Sequence, residues 1–356
     1  MTNVKDGKLL TQVGPGRLMG EFMRQYWHPV AMSSELSVDG DPLRITLLGE
    51  KLIAFRDTSG KIGIMDHRCP HRCASLFFGR NEKNGIRCVY HGWKFDTEGN
   101  CIDMPNVAKH QDFKDRIKAK AYKTEERNGI TWVFMGDQSK IPPLPMIESN
   151  LLPEEQALHR FILRDCNYLQ ALEGDIDQTH LAFLHLGNLY GNQLERENPT
   201  LESELTRMVI EERGPENFAV DTDWGTMLAT YRKMNDSRLY WRISQFLMPY
   251  WTMPSNRVLE DHVVARAWVP MDDTHTMFVA IGQKGKPIVP TKTSNGEEVT
   301  GLAAEDRFQP NYTGWFDRWR FVDNSNNDYG IDREQQRSKS YSGIDGIHLQ
   351  DQAITE

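Results

Sequence analysis

The 356-residue chain has few cysteines, no excess of positive charge and no long apolar run. Its five cysteines are an odd and sparse set, and its start lacks the apolar stretch of a signal peptide, so we expect a reduced, cytoplasmic protein. A net charge of −8 disfavours nucleic acid and anionic membrane surfaces as partners. The longest apolar run is too short to span a bilayer. These absences exclude secreted, membrane-spanning and nucleic-acid-binding proteins as the default classes.

The length and the distribution of turn signals predict two domains. A chain of 356 residues is too long for one ordinary core. Residues 41–135 alternate short β-rich runs with hairpin-type breaks such as "DTSG" and "TEGN". The proline-rich stretch "KIPPLPMIESNLLPEEQ" is typical of a linker, and a helix candidate, "RDCNYLQALEGDIDQTHLAFLHLG", follows it before several strand-like runs. We therefore predict an α+β protein with a first, all-β domain over residues 1–148 and a second domain over residues 149–356.

Two cysteines and two histidines on predicted loops of the first domain form one candidate site. Sixteen residues separate Cys69-x-His71 from Cys88-x-x-His91, and each loop offers one thiol and one imidazole. Structural zinc sites usually pair cysteine with cysteine and histidine with histidine, whereas this mixed pairing suits a Rieske [2Fe–2S] cluster with two distinct irons. Imidazole ligands leave less negative charge on such a cluster and raise its reduction potential. A zinc knuckle, or loop residues that bind no metal, is the alternative on spacing alone.

A second set of candidate ligands lies in the helix candidate. His180 and His185 are five residues apart, and Asp177 precedes His180 by three, on the same face of a helix. Both histidines reach one metal only if the helix ends or bends nearby. Two neutral imidazoles and one carboxylate form the facial triad of non-heme Fe(II) oxygenases, which leaves positions open for dioxygen and substrate. The alternative is a pair of ordinary buried or surface histidines.

Along nearly its whole length, the sequence resembles the oxygenase α subunits of Rieske non-heme iron ring-hydroxylating oxygenases, in particular the phthalate 4,5-dioxygenase type. The resemblance is carried by "VGPGRLMGEFMRQYWHPVAMSSEL", "CPHR", "CVYHGWKFD", "NYLQALEGDIDQTHLAFLH", "WRISQFLMP" and "NDYGIDREQQRSKSYSGIDGIHLQDQAITE". It implies an N-terminal all-β Rieske domain, preceded by a helical segment, and a C-terminal helix-grip catalytic domain whose antiparallel sheet surrounds a mononuclear iron. It also implies a homotrimer or a hexamer of stacked trimers.

The resemblance assigns ligands for both metal groups. It implies Cys69, His71, Cys88 and His91 for the [2Fe–2S] cluster, and His180, His185 and Asp351 for the mononuclear Fe(II). Asp351 lies in the family's QD-x-A motif, whereas the nearby Asp332 and Asp345 lie outside it. Family members usually continue for several tens of residues beyond this motif. With its last residue at Glu356, the chain is either truncated or naturally short at this end.

The resemblance also gives Asp177 a role as the family's bridging aspartate. Its carboxylate would accept one hydrogen bond from His180 and another from a cluster histidine, His91, of a neighbouring chain. A metal-bound histidine commonly donates its second N–H to such an acceptor.

For the reaction, the resemblance implies electron transfer from NADH through a separate flavin- and ferredoxin-containing reductase to the cluster and then to the iron. There, O2 would react with an aromatic carboxylate to give a cis-dihydrodiol of a phthalate-like acid. O-demethylation of a methoxylated aromatic acid and dioxygenation of a phenoxybenzoate are alternatives within the family. An alternative of another class, a Rieske electron carrier without oxygenase activity, needs neither a second iron site nor a second domain of about 200 residues.

Two arginines are candidates for binding the substrate carboxylate. Arg242 lies among apolar residues in "LYWRISQFLMP", where an arginine is costly unless it is paired. Arg207, in "LTRMVIEERG", lies in a region expected at the rim of the pocket. Arginines grip the substrate carboxylates in the phthalate-type relatives, and a guanidinium matches a carboxylate with two parallel hydrogen bonds. The alternatives are that Arg242 pairs with a structural Asp or Glu and that Arg207 is a solvated surface residue.

Overall fold

The structure, a computed structural model, describes residues 4–189, 201–235, 237–255, 263–285, 299–302 and 305–356. The chain divides into two compact units. The first unit comprises Met1–Glu155, Val269–Met277 and Asn311–Arg318, and the second comprises Gln156–Trp268, Phe278–Pro310 and Trp319–Glu356. Within the described ranges, a helix of the length and apolarity needed to cross a membrane is absent.

Helices are short throughout the described residues. Helices α1 to α6 span Val4–Thr11, Leu18–Met23, Tyr168–Ile176, Leu201–Glu211, Arg333–Ser338 and Ile347–Thr355. The first two precede every strand of the chain, and the remaining four belong to the second unit.

Ten strands build two sheets in the first unit. Strands β1 to β10 span Trp27–Met32, Leu43–Leu47, Glu50–Arg56, Ile62–Asp66, Arg80–Glu82, Gly85–Arg87, Lys94–Phe95, Cys101–Asp103, Ala121–Arg127 and Ile130–Phe134. One sheet has the order β1-β10-β9-β4-β3-β2, and the smaller sheet runs β5-β6-β7-β8. Neighbouring strands in both sheets are antiparallel, as expected for strands joined by tight turns.

The predicted hairpin breaks are turns fixed by aspartate side chains. Asp57 Oδ1 accepts hydrogen bonds from the backbone N–H groups of Ser59 and Lys61 in "DTSG". Asp96 Oδ1 does the same for Glu98 and Asn100 in "TEGN". Such side-chain bonds replace backbone bonds that a strand would make, so the chain reverses at these positions. The second of these turns joins β7 to β8 in the small sheet.

Seven strands form one sheet in the second unit. Strands β11 to β17 span Ala157–Arg164, Glu216–Thr222, Gly225–Asn235, Arg238–Leu247, Trp251–Met253, Val264–Pro270 and Thr276–Gln283. Their order is β11-β17-β16-β15-β14-β13-β12, and β12 to β16 are joined in sequence by antiparallel pairing. Helix α3 packs against β14, β15 and α6. This all-β first unit and the antiparallel sheet with helices of the second unit confirm the predicted α+β class.

A buried carboxylate fastens α3 to the sheet. Asp175 accepts hydrogen bonds from Thr252 Oγ1, from Arg266 Nη1 and, at 3.1 Å, from Trp268 Nε1. These three residues lie on β15 and β16, so a single side chain near the end of the helix is bound to two strands. Charge-assisted bonds of this kind define the position of the following chain segment.

The predicted helix around the two histidines is shorter than expected. Arg164 ends strand β11 rather than starting a helix, and α3 begins at Tyr168, where the Asn167 side chain accepts a hydrogen bond from the Leu169 N–H at 3.0 Å. The helix ends at Ile176, and His180 starts a separate single turn. The expectation that Asp177 and His180 share a face of one continuous helix is therefore wrong. The helix begins after the Asn167 N-cap and ends at Ile176, directly before Asp177.

Candidate metal centres

The two Cys/His loops of the first unit have the same backbone geometry. In the first loop the Cys73 N–H donates to the carbonyl of Cys69, and in the second the Gly92 N–H donates to the carbonyl of Cys88, both at 2.9 Å. Cys69 and Cys88 are 1% and 3% exposed and are not joined in a disulfide. Each loop thus turns tightly over a buried thiol, which lies in the core cluster of the small sheet.

The histidines of the same loops face each other. The ring centroids of His71 and His91 are 4.6 Å apart. His71 stacks on Trp93 at 4.3 Å with nearly parallel planes, and the Trp93 indole N–H donates to Asn106 Oδ1 at 2.8 Å. The second loop therefore supports the imidazole of the first. The two histidine rings contact each other, and the two thiols are joined by a hydrogen bond.

The electrostatics of this set suit a metal cluster. A hydrogen bond from Cys69 outweighs burial and lowers the pKa of Cys88 to about 6, whereas the same bond and burial raise the pKa of Cys69. The bond thus favours the thiolate form of Cys88, and thiolate is the form that binds metal. Nδ1 of His91 is buried and has no hydrogen-bond partner among the described residues. A metal would satisfy this nitrogen, so the donor set fits a [2Fe–2S] cluster with two thiolates and two imidazoles.

Gly92 is required by the close packing of the second loop. Its φ is +78°, and a Cβ there would lie 2.6 Å from Cγ of Pro105. Arg87 donates from Nη1 to the Gly92 carbonyl at 2.6 Å and to Asp103 Oδ2 at 2.8 Å. The loop is thus held from outside by an arginine and admits no side chain at residue 92.

In the second unit, His180, His185 and Asp351 meet at one point. Their ligand atoms all lie within 4.8 Å of one another. Asp351 Oδ1 is 3.1 Å from His185 Nε2 and 3.6 Å from His180 Nε2. The two histidines come from the chain segment that follows α3, and Asp351 comes from α6. The other nearby carboxylates do different work: Asp332 accepts the N–H groups at the start of α5, and Asp345 is exposed.

Asp177 lies behind His180. Its Oδ2 is 3.3 Å from His180 Nδ1, and its Oδ1 accepts from the Thr179 N–H at 2.8 Å and from the Thr179 hydroxyl at 2.7 Å. Burial alone would raise the pKa of Asp177, but hydrogen bonds from His180 and Thr179 outweigh it and lower the pKa. Burial would lower the pKa of His180, yet the Asp177 bond and the charge of Asp351 raise it. The carboxylate thus lies next to Nδ1 of His180, whose Nε2 is on the side of Asp351.

Asp351 is available as an anionic ligand. Burial would raise its pKa, but the hydrogen bond from His185 and the charge of Arg164 outweigh burial and lower it. Two imidazoles whose Nε2 atoms point at one carboxylate oxygen match the donor set of a 2-His-1-carboxylate Fe(II) site. The described geometry therefore fits a mononuclear iron, and the assignment of these three ligands stays a prediction.

The two candidate substrate arginines lie in different environments. Arg242 donates from Nε to Gln178 Oε1 at 3.0 Å, and Gln178 is two residues before His180. Its other hydrogen bonds go to the hydroxyl of Tyr240 and the carbonyl of Ser255. Arg207 lies on α4, is 41% exposed, and is 4.0 Å from Glu211 one turn away. The structure thus brings Arg242 into contact with the segment that carries the candidate ligands.

Sequence reasoning missed two buried residues of the second unit, Arg232 and Gln350. Arg232 is fully buried on β13, and its two terminal guanidinium nitrogens have no hydrogen-bond partner in the described parts of the chain. Gln350 is 1% exposed on α6, and its Oε1 is 2.6 Å from His185 Nδ1. The position of Gln350 directly before Asp351 was a signal for it. No sequence pattern marked Arg232, because an arginine in an alternating strand is as typical of a solvent-exposed face as of a buried one.

Comparisons with known proteins identify the family of each part of the chain. Residues 26–122 match the Rieske [2Fe-2S] domain family, and residues 133–356 match the family described as LigXa C-terminal domain like. The chain is 41% identical to the 3-chlorobenzoate-3,4-dioxygenase oxygenase subunit of Comamonas testosteroni, over 100% of this chain and 82% of that relative. It is 32% identical to the phthalate 4,5-dioxygenase oxygenase subunit of Pseudomonas putida, over 99% and 79%.

A solved structure shows the same fold. The crystal structure of dicamba monooxygenase bound to 3,6-dichlorosalicylic acid aligns with a TM-score of 0.56 and 19% identity, covering 75% of this chain and 80% of that one. A Rieske β domain followed by a catalytic domain with an antiparallel sheet is thus confirmed. With both domain families matched and relatives above 30% identity over the whole chain, the protein belongs to the α subunits of the Rieske non-heme iron oxygenases.

Proposed function

We propose that this chain is the oxygenase component of a multicomponent enzyme that cis-dihydroxylates a benzoate- or phthalate-like aromatic carboxylate. Dioxygen is the co-substrate, and electrons come from NADH through a separate flavin- and ferredoxin-containing reductase, as in the family. The observation that carries the choice of substrate is the pair of neighbouring guanidinium groups of Arg242 and Arg232, of which Arg242 contacts Gln178 in the segment that leads into His180.

Both cofactors have a donor set in this chain. Cys69, His71, Cys88 and His91 would hold a [2Fe–2S] cluster, and His180, His185 and Asp351 would hold a mononuclear Fe(II). When bound, the cluster supplies single electrons and the mononuclear iron supplies the activation of O2. The protein itself orients His180 through Asp177, holds the substrate, and provides the ligands of the two metal groups from separate domains.

Arg242 and Arg232 lie on one face of the sheet. In the register of β13 and β14, Arg242 pairs with Thr230 and Arg232 pairs with Tyr240, so the two arginines are diagonal neighbours on the same face. Ser244, two residues beyond Arg242 on that face, accepts a hydrogen bond from Gln178 Nε2. The arginine pair is therefore on the side of the sheet that contacts the chain segment leading into His180.

The partners of these two arginines are neutral. Arg242 binds an amide oxygen, a hydroxyl and a carbonyl, and Arg232 donates from Nε to the carbonyl of Glu212 at 2.8 Å. Burial and the charge of Arg242 both lower the pKa of Arg232. A buried cation, Arg232, next to a half-buried one, Arg242, is unfavourable when neither has a carboxylate partner in the described residues, and an anionic ligand relieves this cost. A carboxylate fits the guanidinium fork with two parallel bonds.

The assembly follows from the same proposal. A head-to-tail ring of three chains closes, and two rings can stack into a hexamer. In such a ring Asp177 of one chain would accept hydrogen bonds from its own His180 and from His91 of the neighbouring chain, which gives electrons a short path between subunits.

A turnover panel tests the substrate class. Purified oxygenase, a ferredoxin-type reductase and NADH are incubated with benzoate, phthalate, phenoxybenzoate and methoxylated benzoates, each matched with its methyl ester as the uncharged control. We expect coupled NADH oxidation and product formation with the free acids and little with the esters. Preference for the esters would overturn the carboxylate assignment, and formaldehyde release from the methoxylated acids alone would favour O-demethylation.

A further inference from the structure

Gln350 is a fully engaged amide between the candidate iron ligands. It directly precedes Asp351 on α6 and is 1% exposed. Its Nε2 donates to the carbonyl of Gly301 at 3.0 Å and to the carbonyl of Ile344 at 2.8 Å. Its Oε1 lies 2.6 Å from Nδ1 of His185. The amide therefore touches both the backbone of two other segments and the ring of one histidine.

These contacts fix the orientation of the amide. The two carbonyl oxygens only accept hydrogen bonds, so the atom that faces them must be the NH2 group, and a flipped amide would place oxygen against oxygen. The carbonyl oxygen of Gln350 consequently faces His185, where it only accepts. Nδ1 of His185 must then carry the proton.

The tautomer of His185 follows directly. Without a metal, Nε2 donates a hydrogen bond to Asp351. A metal ligand must be a neutral imidazole, so a metal would replace the proton on Nε2 while Nδ1 keeps its own, and the lone pair of Nε2 would then face the metal. This Nε2 is the atom 3.1 Å from Asp351 Oδ1, at the point where the three ligand atoms converge. Nε2 of His185 is thus the ring nitrogen that is left to bind a metal.

We infer that Gln350 is a positioning residue that sets the tautomer of His185 and aims its Nε2 lone pair at the iron. The inference rests on the proposed iron site and adds to it a residue with no metal contact of its own. The two histidines also differ in the group next to Nδ1. This group is the carboxylate of Asp177 for His180 and the neutral amide of Gln350 for His185. A neutral acceptor orients the ring without adding a third negative charge beside Asp351 and Asp177.

The lack of a side chain at Gly301 leaves room for the amide group of Gln350. The φ of Gly301 is +87°, and a Cβ there would lie 3.1 Å from Gln350 Nε2. A side chain at residue 301 would therefore press on the amide group itself. This offers a way to displace the amide without replacing Gln350.

The test compares two variants on α6. Gln350→Met removes the acceptor for His185. Gln352→Met is the matched control, because Gln352 is also buried on α6 but donates to the carbonyl of Leu163 and to Glu356 instead of contacting a histidine. Fe(II) affinity of the mononuclear site is measured by chelator competition in the cluster-containing protein, and the ferrous–nitrosyl EPR signal reports the ligand environment.

We expect Gln350→Met to lower the affinity for Fe(II) by about 10- to 100-fold and to change the nitrosyl signal, as loss of an outer hydrogen bond to a ligand histidine does. Gln352→Met should bind iron like the wild type. If Gln350→Met and Gln352→Met bind iron equally well, the inference is overturned.

Two further outcomes are separable. If Gln350→Met does not fold, Gly301→Ala takes its place, with the same loss of iron expected and wild-type affinity as the contradicting result. If the wild type itself binds no iron at this site, the proposed function fails, whereas an iron-binding wild type with an unaffected Gln350→Met overturns only the role of Gln350.

Discussion

Nε2 of His185 lies 3.1 Å from Oδ1 of Asp351, although the two residues come from opposite ends of the second unit's sequence. Helix α3 packs against α6, which brings the segment after α3 close to the last helix of the chain. The buried Asp175 network holds α3 on the sheet, so the meeting of the two ligands depends on the fold and not on local sequence.

The first prediction concerns this pair. Asp351→Ala should abolish iron binding at the mononuclear site while leaving the cluster unchanged, because a facial triad without its carboxylate has only two protein ligands. Iron and sulfide analysis with the visible spectrum of the cluster provides the measurement. Asp345→Ala, at an exposed carboxylate in the same segment, serves as the control and should keep both metal groups. Retention of mononuclear iron by Asp351→Ala would assign the third ligand elsewhere.

The second prediction concerns the cluster. His91→Cys should retain a [2Fe–2S] centre but lower its reduction potential, on the order of 100 mV or more, because thiolate replaces a neutral imidazole. Redox titration followed by EPR measures the change. His110→Cys, at an exposed histidine of the same unit, should leave the potential as it is. An unchanged spectrum and potential in His91→Cys would show that His91 is not a ligand.

The third prediction concerns Asp177. Asp177→Asn should keep both metal groups and lower turnover by at least roughly tenfold, since the amide is a weaker acceptor for the histidine N–H groups than a carboxylate. Single-turnover oxidation of the pre-reduced cluster isolates the transfer step. Asp332→Asn, which retains an oxygen able to cap α5, is the control. A fully active and stably monomeric wild type would contradict the bridging role between chains.

The fourth prediction concerns the arginines. Arg242→Met and Arg232→Met should each raise KM for a carboxylated substrate by roughly tenfold or more, since a hydrogen bond to a charged group contributes about 1.5–3 kcal/mol. Cluster and iron content should stay intact. Arg207→Met tests the sequence-based candidate that the structure places on a partly exposed helix, and a smaller change in KM is expected there. Normal kinetics in both Arg242→Met and Arg232→Met would show that these arginines do not bind the substrate carboxylate.

The turns and the Cys/His loops could be predicted from the sequence because the residues that form them are close together in the chain. The turns at Asp57 and Asp96 are made by side chains that bind backbone groups two and four residues away, and the Cys/His loops close within five residues. The family resemblance pointed to Asp351 because its motif is continuous. In each case the residues that make the feature are neighbours in the chain.

The end of α3, the role of Gln350 and the burial of Arg232 could not be predicted from the sequence, because they depend on contacts between distant parts of the chain. The end of α3 at Ile176 depends on the anchoring of Asp175 by strands β15 and β16, which no helical periodicity reveals. The role of Gln350 depends on the carbonyls of Gly301 and Ile344, and the burial of Arg232 depends on the packing of the sheet face. These are tertiary contacts, and they override the local pattern.

The most direct test of the account is the fate of dioxygen in the product formed from a benzoate- or phthalate-like acid. The purified oxygenase and its reductase are given an equal mixture of ¹⁶O2 and ¹⁸O2, and the dihydrodiol is analysed by mass spectrometry. The account predicts that both hydroxyl oxygens come from one O2 molecule, so that products carry either two ¹⁸O atoms or none. A product with one labelled oxygen, or no oxygenated product from any aromatic carboxylate, would contradict it.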